Sequence, residues 1–297
     1  MEHTPVISYG EIVWDQFPDK KVLGGAPLNV AYHLYAQKWP AGMISRIGND
    51  SYGAEALERI ERLGIPLDGI QKDAELSTGL VLVSFAANNE PSYEIVQPSA
   101  WDNIRESEVP ETITHAPFHL VFGTLAQRNG VSRRTLQLLL SRAQQKFYDV
   151  NLRPPFDLPE LVESSLHAAD VVKMTREELG QLNDWFLQSQ ETEDAVARTL
   201  IRMFGIAVIA VTDGDKGASI YDSERAFHHP GFPVAQADPV GSGDAFFSAL
   251  IIGYLTGVPL QECLIRANRL GAFVASQSGA TPEYPKDPRQ LGLMGID

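Results

Sequence analysis

A single cysteine, Cys263, is all that the 297-residue chain carries. That scarcity excludes an intrachain disulfide and a cysteine metal cluster. Cys263 stands in a helical pattern and reads as a small core residue. Long apolar runs are lacking too. Residues 245–255 form the longest strong one, too short to cross a bilayer. Basic residues are few, 24 Lys and Arg against 38 Asp and Glu, a net charge of −14. A nucleic-acid partner would want a basic patch, so that class is disfavoured. The N-terminus lacks the basic start and apolar stretch of a signal peptide. Low-complexity tracts and repeats are absent. A cytosolic protein with no membrane partner is expected. Neither Gly-x-x-x-x-Gly-Lys-Ser/Thr nor an early Gly-x-Gly-x-x-Gly occurs, which removes two common nucleotide-binding patterns.

What is present is a regular alternation. Apolar runs at 5–12, 42–47, 119–122, 146–150, 170–174, 206–212 and 218–221 read as strands. Between and after them, 26–37, 52–63, 132–145, 158–167, 175–182, 193–203, 244–255 and 260–278 read as helices. Such alternation predicts an α/β fold, a mostly parallel sheet covered by helices on both faces. The length suits one domain over residues 1–297 with a small appendage. The β-rich segments 78–86 and 92–96 flank Asn88-Asn89, a hairpin signal, and break the alternation. With residues 11–24 they predict a small β lid, spanning about 11–24 and 78–100.

Two glycine turns carry the chemistry. Asp238-Pro-Val-Gly-Ser-Gly-Asp-Ala-Phe246 stands before the longest apolar helix. A helix start has N–H groups without intrahelical partners and a positive dipole end, and it attracts anions, phosphates above all. Gly241, Ser242 and Gly243 would form an anion hole. Asp244 would put a carboxylate beside that anion, which makes sense for removing a proton from an attacking hydroxyl. The plainer alternative is that Asp244 caps a core helix. The second turn, Leu23-Gly-Gly-Ala-Pro-Leu-Asn29, opens another helix, with Pro27 suited to its first turn. Asn29 is polar in an apolar run. It is either a solvent-facing residue or a donor and acceptor for a sugar hydroxyl.

Together the two turns resemble the paired signatures of the ribokinase-like, or PfkB, carbohydrate kinases. Gly48-Asn-Asp-Ser-Tyr-Gly53, Asp149-Val-Asn-Leu-Arg-Pro154 and Val211-Thr-Asp-Gly-Asp-Lys-Gly217 match further family segments in order. Gly10-Glu-Ile-Val-Trp-Asp15 and Phe122-Gly-Thr-Leu-Ala-Gln-Arg128 look fructokinase-like. The resemblance implies a ribokinase-like sheet with a β lid, ATP and Mg2+, and phosphoryl transfer to a sugar, fructose first, with ribose and 2-keto-3-deoxygluconate as rivals. A non-catalytic sugar or nucleotide sensor on the same fold is the rival of another class.

The resemblance also implies roles. Asp244 is the general base. Asp15, Gly24, Gly25 and Asn29 hold the sugar. Arg153 clamps a substrate oxygen or the γ-phosphate, or else pairs with a surface carboxylate. Thr175, Thr212, Gly214 and Asn268 face the nucleotide, while Gly217 serves its turn. Glu178 organises Mg2+ through water. Thr175 stands where the family has Asn, so Thr175 and Glu178 read equally well as a capping box. Asp238 and Val240 resemble a loop that holds a monovalent cation, K+, with Pro239 replacing the usual Thr. Tyr93 and Trp101-Asp102 lie near the lid and could cover the sugar. His228-His229 read as surface residues. A lid with an exposed face suggests a homodimer.

Overall fold

The computed structural model describes residues 3–85, 91–235, 237–285 and 291. In chain order the elements are β1 (Val6–Tyr9), β2 (Val13–Gln16), β3 (Lys21–Gly24), α1 (Ala26–Ala36), β4 (Ala41–Gly48), α2 (Ser51–Arg62), β5 (Ile70–Asp73), β6 (Gly79–Phe85) and β7 (Pro91–Ile95). There follow α3 (Glu111–Thr114), β8 (His119–Gly123), α4 (Gly130–Arg142), β9 (Lys146–Asp149), α5 (Pro159–Ala168), β10 (Val171–Thr175), α6 (Arg176–Phe186) and α7 (Glu193–Phe204). The chain closes with β11 (Val208–Thr212), β12 (Ala218–Tyr221), β13 (Ala226–His229), α8 (Ser242–Leu255) and α9 (Leu260–Ala275).

The large sheet has the order β13-β12-β11-β10-β9-β8-β1-β4-β5. Strands from β11 through β5 run parallel, and β12 and β13 add antiparallel at one edge. Its central strands are apolar on both sides because helices cover both faces. Alternate residues divide cleanly. Ile7, Leu120, Tyr148, Val172 and Ile209 join a core with α4–α7. Val6, Val121, Phe147, Val171 and Val208 join a second core with α1, α8 and α9. Helix α8 is apolar nearly all round, as a helix sandwiched in a core must be, and residues 245–253 are buried.

A second sheet, β3-β2-β6-β7, stands apart from the first. It is built from the two segments that the sequence assigns to a lid. β2 and β3 form a hairpin, β6 and β7 pair antiparallel, and β2 joins β6 in parallel. The expected Asn88-Asn89 turn lies outside the described residues. Residues 96–100 are not part of the sheet. A buried turn over Ala100–Asn103, closed by a Ser99/Asp102 capping box, takes the chain back into the core. Trp101 is fully buried there under the Arg128 guanidinium, 3.9 Å from its ring centre, so it packs and does not cover a ligand. Tyr93 remains exposed on β7.

Three elements were not legible, β5, β13 and α3. They are short, and β13 is only half apolar. His228 and His229 lie on β13, where His228 is exposed and faces Ser219 and Asp194. Cys263 is buried against Gly253 between α8 and α9.

Candidate active site

The two glycine turns, more than 200 residues apart, meet at the carboxyl ends of the parallel strands. In open α/β sheets that edge is where ligands gather. The Asn29 side chain donates from Nδ2 to Asp244 Oδ2 at 2.7 Å. Asn29 is therefore not solvent-facing. It is buried, and its Oδ1 has no protein partner among the described residues. An amide that donates to the candidate base and keeps an unpaired acceptor suits a hydroxyl lying beside the pair.

Local geometry explains why glycine stands at both turns. Gly25 has φ 115°, and a side chain there would drive Cβ to 2.4 Å from the Glu11 carbonyl oxygen. Gly241 has φ 80°, and its Cβ would come within 2.7 Å of the Ala280 Cα. Only glycine meets both demands cheaply. Gly241 caps α8, and Ala245 makes the first regular helical bond back to it at 2.9 Å. Ser242 closes the turn, its backbone N–H and hydroxyl both donating to the Pro239 carbonyl. The first-turn amides of Gly243 and Asp244 are left to face an anion.

Asp15 projects from β2 of the small sheet toward Gly24, whose Cβ would sit 3.4 Å from Asp15 Oδ2. Burial pushes the Asp15 carboxyl up to about 6, against the pull of Arg153. Arg153 is exposed, and among the described residues its guanidinium hydrogen-bonds its neighbour's carbonyl, Leu152 O, at 2.8 Å. Its positive charge is felt by Glu11, Asp15, Asp149 and Asp244. Among the described residues it forms no ion pair, which leaves it as an exposed cation within electrostatic reach of the cleft's carboxylates. The half-buried Asp244 carboxyl is raised above its ordinary value by burial, and Lys173, the Asn29 hydrogen bond and Arg153 each pull it back.

Sequence reasoning missed two groups of this cleft. Glu11 is 5% exposed, and burial raises its carboxyl to about 7; Arg153 opposes this, while Asp244 and Asp149 add to it. Lys173 is buried and paired with Asp149 at 3.0 Å. The signal was there. Lys173 and Asp149 are lone charges near the ends of two apolar strands, and they are direct cross-strand partners between β10 and β9.

Of the residues expected to face a nucleotide, Thr175 and Thr212 are cross-strand partners at the ends of β10 and β11, and the turn with Gly214 follows β11. Gly217 has φ 91° and no room for a side chain beside His229, so it serves the turn. Asn268 is buried on α9 and donates to the Leu264 carbonyl.

Thr175 and Glu178 form a capping box on α6. The Glu178 oxygens accept from the Leu152 and Thr175 amides at 2.7 Å each. Among the described residues no group of three or more His, Cys, Asp or Glu could hold a metal. Each Glu178 oxygen is thus engaged by one backbone amide and keeps a further acceptor position that a metal-bound water could use. Asp238 spends its carboxylate on the Val240 and Gly279 amides, and the Val240 side chain is exposed.

Known proteins resemble this chain in sequence and in fold. The model of the pfkB family carbohydrate kinases matches residues 3–287. A putative sugar kinase of Pyrococcus horikoshii is 28% identical over 89% of this chain and 84% of its own. Probable fructokinase-5 of Arabidopsis thaliana is 26% identical over 99% of this chain and 98% of its own. The structure of a fructokinase with bound ATP from Xylella fastidiosa is similar in fold, with a TM-score of 0.85 at 22% identity, covering 97% of each chain. Its match over nearly its whole length makes this chain a sugar phosphotransferase, a member of the pfkB family of carbohydrate kinases.

Proposed function

We propose that the enzyme is an ATP-dependent fructokinase that makes fructose 6-phosphate. The observation that carries the reading is the Asn29–Asp244 hydrogen bond, which joins the sugar-side turn to the phosphate-side turn. A hydroxyl accepting from or donating to Asn29 would lie against the Asp244 carboxylate and in front of the α8 amides. Fructokinases among the relatives and the fructokinase-like segments around Asp15, Arg128 and Arg153 support fructose as the sugar.

Asp15 accepts from sugar hydroxyls, and Gly24, Gly25 and Asn29 form the floor beside it. Asp244 takes the proton of the attacking hydroxyl as its oxygen bonds to phosphorus. The Ser242 amide is spent on the Pro239 carbonyl, so of the expected anion hole Gly241 shapes the turn while the amides of Gly243 and Asp244 stabilise charge on the transferred group, and Arg153 closes on it. Thr175, Thr212, Gly214 and Asn268 line the nucleotide side. Mg2+ on the phosphates would neutralise their charge. K+ near Asp238 and Val240, a single folding domain, a lid role for the small sheet and a homodimer through it complete the proposal.

An ADP-release assay with Mg-ATP and matched fructose, ribose, glucose and 2-keto-3-deoxygluconate tests it. Fructose should give the highest kcat/KM. A tenfold lead for ribose or 2-keto-3-deoxygluconate would leave a sugar kinase that is not a fructokinase.

A further inference from the structure

We infer that Lys173 is a catalytic residue, the fixed cation that meets the transferred phosphoryl group at the floor of the cleft. The inference rests on the proposed placement of that group at the start of α8. It assigns a role to a side chain that neither glycine turn contains.

The geometry comes from the sheet. Side chains alternate across a strand, so Lys173 shares the face of Val171, which packs against α1, α8 and α9. Asp149 shares the face of Phe147, which lies in the same core. The pair is therefore buried directly beneath the start of α8. Lys173 Nζ lies 3.2 Å from the place a Cβ on Gly243 would take. Glycine at 243 keeps a side chain from standing between the ammonium and the first turn of the helix.

Burying this pair is costly, and apolar residues of similar size would hold β9 to β10 at least as well. A buried pair is thus weak evidence of a structural role. Its position is better explained by charge. Glu11, Asp15, Asp149, Glu178 and Asp244 crowd one cleft in a chain of net charge −14. A nucleoside triphosphate must enter it. Two cations act on Asp244, Lys173 and Arg153. Arg153 is exposed at the mouth; Lys173 is fixed on the floor. Burial would lower the Lys173 ammonium, but Asp149, Glu178 and Asp244 outweigh it and hold the charge on. Lys173 therefore does not exchange protons in the reaction. The sugar oxygen bonds to the γ-phosphorus, the bond to the β–γ bridging oxygen breaks with its electron pair leaving on ADP, and the hydroxyl proton passes to Asp244. The ammonium stabilises charge on the phosphoryl oxygens throughout, as one donor of an oxyanion site does.

The test uses Lys173→Met, the double variant Lys173→Met/Asp149→Leu, and the wild-type enzyme crystallised with ADP, aluminium fluoride and whichever sugar it phosphorylates. Removing one such donor should lower kcat about 10²–10³-fold. Affinity for ADP alone and for the sugar should stay within about threefold, and affinity for ADP–aluminium fluoride should fall with kcat. The double variant removes both members of the pair, so Asp149 is not left buried without its cation, and it should recover thermal stability relative to Lys173→Met but not turnover. A folded double variant that keeps more than a third of wild-type kcat overturns the inference. So does equal weakening of ADP and of ADP–aluminium fluoride. The wild-type complex decides even where both variants fail to fold. A fluoride within hydrogen-bond distance of Lys173 Nζ supports the role, and a separation beyond 4 Å ends it. Fluoride bound away from residues 241–244 would instead overturn the placement of the phosphoryl group itself.

Discussion

Glu11 offers a measurable consequence of burying a carboxyl in the cleft. Its carboxyl is 5% exposed, and burial moves its pKa from an ordinary 4.5 to about 7. The folded protein therefore binds that proton more tightly than the unfolded chain does. For an acid raised on folding, the linkage runs opposite to that of a salt-bridged carboxylate. Above pH 7 the folded state must carry a buried charge that the unfolded state carries freely, so stability is lost as pH rises from 4.5 through 7. At 1.36 kcal/mol for each pH unit, the displacement corresponds to about 3 kcal/mol.

Glu11→Gln removes the charge and keeps the shape. The variant should be more stable than wild type by about 3 kcal/mol at pH 8, and nearly equal to it at pH 4.5. For a chain of this length that is roughly 5 °C in Tm at pH 8. Urea unfolding of both proteins at a series of pH values measures the difference. Other carboxylates titrate over the same range, but they are common to both proteins and largely cancel in the comparison. An advantage that is the same at pH 4.5 and pH 8, or a Gln variant that is the less stable at pH 8, would refute the reasoning.

Other outcomes follow from the same geometry. Asp244→Asn should fold normally and lose about 10²–10⁴ in kcat as the general base is removed; retention of more than a tenth of wild-type turnover in the ADP-release assay counts against the role. Asp15→Ala should weaken sugar binding by about 1.5–3 kcal/mol with ATP binding little changed, which separate calorimetric titrations of the two ligands can establish. Turnover should fall toward acid pH as Asp244 is protonated, and the limb should lie above the ordinary aspartate value of 3.8; a flat kcat/KM profile down to pH 4 contradicts this. Gly241→Ala places a side chain at φ 80° against Ala280, and should cost at least about 1–3 kcal/mol in chemical denaturation.

The sequence made the parallel sheet, the second sheet and both glycine turns legible because each has a local signal. Apolar runs bounded by turn residues mark the strands, and positive φ at Gly25 and Gly241 marks places where other residues would clash. Thr175 and Glu178 were legible too, as a capping box four residues long. β5 and β13 escaped because four-residue strands with exposed positions carry little periodicity. Asn29 was open to two readings, since whether one polar residue in an apolar helix faces water depends on what packs there, and what packs there is α8, some 215 positions away.

The missed charges have a common cause. A buried Lys or Glu in an apolar strand looks like an edge position or a strand end until its neighbours across the sheet are known. Lys173 and Asp149 become a pair only through the β9–β10 register. Glu11 becomes a buried acid only once Gly25 closes over its carbonyl. Such groups are held at a cost in stability, and the cost falls together at one edge of the sheet, where Asp244, Asp15, Glu11 and Lys173 all gather. A scaffold optimised for stability alone would fill that space with apolar side chains. Buried ion pairs occur elsewhere too, Arg46–Asp73 and Arg128–Asp102. Lys173–Asp149 is the pair that stands beside the start of α8, while residues 147, 148, 171 and 172 of the same two strands are apolar. That placement fits the proposed phosphoryl transfer.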